Sequence, residues 1–427
     1  MCCVRLRAHR LVRNRDFVRL SIDDALVKRY TMRRAFVLSN LKGDPNVRSL
    51  KITPQLEFKY SDRPGIEEKH AKEFHTRRGI ARSLVFRFGW NATAFQILNP
   101  EIELWFSQDG CAVVGYVRHY RTRVVAGAPV CDENRLAEIV QNFEEDASMS
   151  NEQVCWFSIT SRLQAAIREK AFHAELVIGA QPVWNPAGWP EIVQKNASLR
   201  AQLNRARNKG VSISEWKTEF AFAHKGLQRC LDDWMASRSL PKLGFLTEPV
   251  SLDRLADRRI FVAELRGEPV GFLVIAPVPT RNGWLVEQIV RGKCVPNGTA
   301  ELLVDGVMRS TGEEGFEYLT LGLVPLTPRA KTTEAKSQFW LRTTLSWVRV
   351  HGKRFYNFDG LDAFKAKFKP HSWEPLFALS NEPAFSLRTL IAIGAAFSQE
   401  PLFRALARTL TSAARKETLW LSRRNKG

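Results

Sequence analysis

Three lysines alternate with apolar residues late in the chain, in the run Phe364-Lys365-Ala366-Lys367-Phe368-Lys369 closed by Pro370. At every second position they cannot share one face of a helix, which repeats every 3.6 residues, whereas an extended segment projects them together with Phe364, Ala366 and Phe368 behind. A row of ammonium groups fixed between aromatics suits a polyanion such as a phosphate; the competing reading is a solvated basic edge strand. A second constellation is Glu287 and Arg291, on a segment that reads as a strand from Trp284 to Arg291. Period-two alternation places Leu285, Glu287, Ile289 and Arg291 on one face, a carboxylate beside a guanidinium. The pair can serve as an acid–base and charge-stabilising couple, or simply as an ion pair within the strand. Glu301 falls in the first turn of the next helix, where the dipole favours negative charge. Asn297, Gly298 and Thr299 open that helix, and such an N-terminus can hold one phosphate.

The elements that must carry these residues follow from local pattern. Ser198 to Lys209 reads as a helix closed by Gly210, with Leu199, Leu203 and Ala206 as its buried stripe. Arg200, Asn204 and Arg207 share another face, flanked by Arg205 and Lys209, which makes a nucleic acid contact or a solvated basic helix. Upstream, segments 111–117, 122–127, 154–160 and 174–178 read as strands, with helices at 135–143 and 162–171 between them. Downstream, 260–265 and 270–276 form a hairpin about Arg266-Gly267-Glu268-Pro269, followed by the strand 284–291, a helix from Ala300 to Ser310 and a buried strand at 318–326. Strands alternating with helices mean a mixed α/β architecture. The expected organisation is a basic extension at 1–78, accessory or partly disordered; domains at 79–210 and 211–380; and a basic amphipathic tail at 381–427, which suits either a membrane surface or packing back on the domain.

Composition narrows the function classes. The chain has 427 residues, 44% of them hydrophobic, with 12 Trp and 26 Phe, enough for substantial cores. Lys and Arg total 64 against 44 acidic residues, a net charge of +20 that points to nucleic acid or an anionic membrane surface. The 7 cysteines are scattered without a CxxC pair, which argues for reduced thiols and against a disulfide scaffold or a zinc site. No metal is expected. No apolar run reaches the length of a membrane span, and no secretory signal is expected.

Tyr356-Asn357-Phe358-Asp359-Gly360-Leu361, then Phe364-Lys365-Ala366-Lys367-Phe368-Lys369-Pro370 and Trp373-Glu374-Pro375, resemble the C-terminal catalytic domain of the phosphatidylglycerol lysyltransferases. Pro296-Asn297-Gly298, the segment around Arg200–Arg207 and the runs 127–130 and 178–184 are similar too, with Gln181 where many relatives are acidic. The resemblance implies tandem acetyltransferase-like (GNAT-like) domains with mixed central sheets. It also implies transfer of an amino acid from aminoacyl-tRNA to a phospholipid head group such as phosphatidylglycerol. It nominates Glu287 and Arg291 as catalytic; Asn297, Gly298, Thr299, Glu301, Lys365, Lys367 and Lys369 as substrate-binding; and Arg200, Asn204, Arg205, Arg207 and Lys209 as tRNA-binding. The aminoacyl ester is already activated, so no cofactor or metal is needed, and Arg291–Thr299 lacks the glycine-rich acetyl-CoA pattern. The expected partners are aminoacyl-tRNA and an anionic phospholipid surface, with a cytoplasmic location, peripheral on the inner face of the membrane, and without the transmembrane region some relatives carry ahead of this domain. The same transfer to a soluble acceptor, or a non-catalytic tRNA- or membrane-binding protein of this fold, stays open as an alternative.

Overall fold

Period-two alternation dominates the middle of the chain, and it resolves into one mixed sheet flanked by amphipathic helices. The computed structural model describes residues 66–168, 173–237, 244–246, 252, 254–330 and 358–397. The basic start of the chain, Tyr356-Asn357 and the tail beyond 397 lie outside the described residues.

The first half begins with helix α1 (Ile66–Phe88), then strands β1 (Glu103–Phe106), β2 (Val113–His119) and β3 (Thr122–Ala126), helix α2 (Leu136–Met149) and strand β4 (Gln153–Ile159). Helix α3 (Ser161–Ile167) and strand β5 (Ala174–Trp184) follow. Strands β1 to β3 are antiparallel, and β4 returns parallel to β3 after α2. Helix α2 buries Leu136, Ile139, Val140, Phe143 and Ala147, the i, i+3, i+4 stripe of a helix facing a sheet. The Phe143 ring meets Trp105, Tyr116 and Trp156 edge-on at 5.5, 5.3 and 5.4 Å. Helix α1 starts inside the expected accessory extension, and its C-terminal part buries Ala81 and Val85 in the core.

Helices α4 (Trp189–Lys195) and α5 (Ala197–Asn208) link to the second half: strand β6 (Val211–Trp216), the one-turn helix α6 (Thr218–Phe222), helix α7 (Lys225–Ala236), strands β7 (Arg259–Leu265), β8 (Glu268–Val278) and β9 (Gly283–Arg291), helix α8 (Thr299–Glu313) and strand β10 (Tyr318–Thr320). Strands β6 to β9 are antiparallel, and β10 lies parallel to β9 across α8. Both halves therefore run antiparallel strands, a helix and a parallel strand, the tandem acetyltransferase-like arrangement that the resemblance implied. The expected strand 318–326 is broken: β10 stops at Thr320, and β11 (Val324–Pro325) pairs with β5 instead of continuing beside β9.

The last described elements are helix α9 (Phe358–Ala366), strand β12 (Ser372–Ser380) and helix α10 (Leu387–Phe397). Among the described residues the strand order is β1-β2-β3-β4-β12-β5-β10-β9-β8-β7-β6. Strand β12 thus fits between β4 and β5, antiparallel to both, and corrects the expected grouping of 211–380: its last strand completes the sheet of the first half. Helix α10 buries Thr389, Ala392, Ala395 and Ala396 and packs on β2 and β3, its Phe397 ring 5.2 Å from that of Phe157. Over 387–397 one face of the helix packs on the sheet, as the second expectation for the tail had it, while Leu387 stays 67% exposed.

Candidate active site

Strands β9 and β10 pair only through Gly283–Leu285 and Tyr318–Thr320. Beyond that point β9 runs on to Arg291 without a strand on its β10 side among the described residues, so the two parallel strands part at their C-terminal ends. A gap of this kind, beside the N-terminus of the connecting helix α8, is where open α/β sheets bind ligands. Among the described residues, the backbone N–H and C=O groups on that side of β9 beyond Leu285 have no ladder partner.

The parting strand carries a β-bulge. Val274 pairs with Gln288 and Ile275 with Val286, which leaves Glu287 as the extra residue. Before the bulge Trp284 and Val286 pack toward α8; after it Ile289 does. The inserted residue resets the alternation, so the expected common face of Leu285, Glu287, Ile289 and Arg291 does not form. Glu287 is clamped instead by Arg258, at 2.6 and 3.1 Å, with side-chain exposures of 12% and 10%. Arg258 in turn reaches Asn99 Oδ1 of the first half at 3.2 Å and stacks over the Phe95 ring. Arg291 is exposed at the end of the strand. Next to Glu287, the Gln288 side chain is buried and neither Nε2 nor Oε1 has a hydrogen-bond partner. An orphaned carboxamide in a core costs free energy of order 1–3 kcal/mol, which a bound molecule can return.

The lysine row is also corrected. Lys365 sits in the last turn of α9, so the segment is helical where an extended strand was expected, and Lys369 takes a positive φ of 50° beyond it. The three side chains go three ways. Lys365 is buried and donates to the carbonyls of Leu321, Gly322 and Leu323 at 2.6, 3.0 and 3.1 Å, the segment facing β9 across the gap. Burial pulls its pKa from 10.5 to about 7, but three carbonyls need three N–H donors, and only the ammonium supplies them all. We therefore take the charged form as the one held at neutral pH. Lys367 pairs with Glu301 and lies 3.3 Å from Gln202, joining α9 to α8 and α5. Lys369 alone is exposed. Propensity leaves this outcome open, and tertiary packing decides it: Phe368 is fully buried with its carbonyl accepting from Trp184 Nε1 at 3.0 Å.

At the N-terminus of α8, Gly298 has φ +97°, and a Cβ there would lie 2.2 Å from the carbonyl oxygen of Gln202, so only glycine lets α5 pack this closely. Thr299 is buried and its hydroxyl donates to the Pro296 carbonyl at 2.7 Å. Of the three residues expected to hold a phosphate, Asn297 is exposed and the other two are spent on packing. The basic face of α5 divides likewise. Arg200 donates to the Val193 carbonyl at 3.1 Å and to that of Gln194, closing α4, and Arg207 pairs at 2.5 Å with the buried Asp305, which also accepts from Trp189 and Arg309. Asn204, Arg205 and Lys209 remain exposed.

One cluster escaped the sequence reading. Gln181 on β5 stands opposite Glu374 on β12 in the ladder, and its amide donates to Glu374 at 2.8 Å and to the Tyr318 hydroxyl at 3.2 Å. Arg281 binds both oxygens of Glu374, at 2.9 and 2.5 Å, and stacks 3.7 Å over the Tyr318 ring and 5.1 Å over Trp90. Burial works against the Glu374 carboxylate, but Arg281 and Gln181 outweigh it and hold its pKa below the usual range. The four residues come from 181, 281, 318 and 374, and no local pattern links them; only Gln181, where many relatives are acidic, and the Trp373-Glu374-Pro375 phrase offered hints.

A sequence profile for the phosphatidylglycerol lysyltransferase C-terminal region matches residues 82–380. Phosphatidylglycerol lysyltransferase of Bacillus subtilis is 24% identical over 285 residues, covering 66% of this chain and 32% of that protein, so the chain spans about a third of that relative's length. Among solved structures, the C-terminal domain of a lysylphosphatidylglycerol synthetase from Agrobacterium fabrum superposes with a TM-score of 0.65 at 22% identity, over 76% of this chain and 98% of that one. L-PGS from Bacillus licheniformis gives 0.60 at 21% identity, over 73% and 92%. Fold and profile agree over most of the chain, which belongs to the phosphatidylglycerol lysyltransferase C-terminal family.

Proposed function

We propose that the protein transfers an amino acid from aminoacyl-tRNA to the head-group hydroxyl of a phospholipid such as phosphatidylglycerol, in the gap between β9 and the 321–323 segment. The observation that carries this reading is the open end of β9, with a bulged carboxylate and an unpartnered buried carboxamide side by side, in a chain of this family. The acceptor hydroxyl oxygen attacks the aminoacyl ester carbonyl, and the bond to the ribose oxygen breaks as that oxygen takes up a proton. Glu287 is the proposed base. Its two oxygens offer about four lone-pair sites, and Arg258 occupies two, so the carboxylate is fixed yet still able to accept. Backbone N–H groups on the gap side of β9 supply donors for the oxyanion, and exposed Arg291 meets a substrate phosphate. The direct test incubates the full chain with radiolabelled aminoacyl-tRNA and phosphatidylglycerol vesicles and looks for label in the lipid extract. Label that stays with tRNA or appears only as free amino acid would reject the reading.

Gln288 provides a sharper check. Gln288→Leu removes an unsatisfied amide from the core, so thermal stability should hold or rise. If the carboxamide touches the substrate, kcat/KM should fall by about tenfold, the worth of one missing hydrogen bond. Unchanged kcat/KM would remove Gln288 from the site.

Arg205 and Lys209 are the residues of α5 proposed to hold tRNA. In R205Q/K209Q, the slope of log affinity for tRNA against log salt should shrink by about 0.7–0.9 for each phosphate no longer neutralised, with the melting temperature unchanged. Filter binding across a salt series measures this, and an unaltered slope would take α5 off the RNA surface.

A further inference from the structure

Two phenylalanines are left in solvent on helix α6: Phe220 is 70% exposed and Phe222 58%, while Ala221 between them is fully buried. The turn is pinned from beneath by Ala221 and tied to its N-terminus by bonds from the Phe220 and Ala221 amides to the Lys217 carbonyl at 3.1 and 3.2 Å. Beside it the Trp216 and His224 rings meet edge-on at 5.0 Å. The two rings therefore protrude from a held turn, and neighbouring Leu227, Cys230 and Leu231 already fill the core below. Lys217, Lys225 and Arg229 are exposed around them; Glu219 is the one acidic residue between 217 and 229, and Arg229 lies 3.6 Å from the exposed Glu268. Protruding aromatics ringed by cations match the interface of an anionic bilayer, where the rings enter the acyl boundary and the cations meet lipid phosphates.

The position fits as well. Helix α7, which begins three residues after Phe222, packs at Gly226 against Pro269, and Val270 accepts from the Gly292 amide at 2.9 Å. Farther along α7, Asp233 accepts from the Lys293 amide at 3.2 Å. The patch is thus carried by a helix braced on the loop that leaves β9, at the end where the gap opens.

We propose that the Phe220–Phe222 turn, with Lys217, Lys225 and Arg229, seats the protein on an anionic phospholipid bilayer. This deepens the proposed function, since a lipid acceptor gives the surface its purpose, but its test reads binding without transfer. The full chain is co-sedimented at low salt with vesicles of equal phosphatidylglycerol and phosphatidylcholine. F220S/F222S should bind about tenfold or more weakly than the parent, with an unchanged circular dichroism spectrum. F220W/F222W should keep the parent affinity, because tryptophan suits the interface, and K217Q/K225Q should bind less and respond less to salt. A parent that ignores these vesicles, F220S/F222S binding like the parent, or F220W/F222W losing as much as F220S/F222S would each overturn the proposal. So would a parent dimer that F220S/F222S dissolves without any effect on vesicles. Vesicle binding that depends on the phenylalanines in a protein that transfers nothing would uphold this surface and reject the proposed reaction.

Discussion

Glu287→Gln is expected to lower transfer from aminoacyl-tRNA to phosphatidylglycerol by about 10²–10⁴-fold, the usual contribution of a positioned general base. The substitution keeps size and shape, and Arg258 retains the Arg254 carbonyl at 3.0 Å and Asn99 at 3.2 Å, so the fold should survive. Binding of tRNA should change little, because the carboxylate acts on the acceptor proton. Single-turnover rates with excess enzyme measure the effect apart from product release. A rate within about threefold of the parent, well short of that range, would leave Glu287 as the partner of Arg258 and require another base. Arg258→Gln gives the companion result: it frees the carboxylate but removes its anchor, so a loss there with Glu287→Gln silent would mark the pair as purely positioning.

Lys365→Met is expected to cost about 3 kcal/mol of stability, since three carbonyls lose their donors while methionine fills the space of the lysine stem. The carbonyls belong to Leu321, Gly322 and Leu323, so the loss falls on the wall of the gap opposite β9. Urea denaturation should show a lower midpoint, and transfer should fall even at temperatures where the variant is folded. Lys369→Gln, at an exposed position, should leave the midpoint unchanged. Equal midpoints for Lys365→Met and the parent would mean that the buried ammonium does not hold the segment, and Lys365 would return to consideration as a phosphate ligand.

The α/β class, the helices around Leu136–Phe143 and Leu199–Ala206 and the hairpin about Arg266–Pro269 were legible because each rests on a periodicity contained in its own residues. The Pro296-Asn297-Gly298 phrase marked a helix start for the same reason: a glycine that must take a positive φ declares itself locally. The site was legible only as a set of neighbourhoods. Period-two counting put Glu287 beside Arg291, and one inserted residue, visible only in the pairing of β9 with β8, turned it to Arg258. Alternating Lys365, Lys367 and Lys369 read as a row until the segment closed into a helix and its exit turn. Their acceptors then came from 321–323 and 301, chosen by burial and packing. Strand β12 entered the first half, and Glu374 met Gln181 and Arg281, through pairings between residues 193 and 93 positions apart. Local propensity and periodicity act through neighbours in the chain, so they shape elements. Bulges, ladder partners and buried ion pairs form between distant segments, so only the tertiary structure decides which side chains meet.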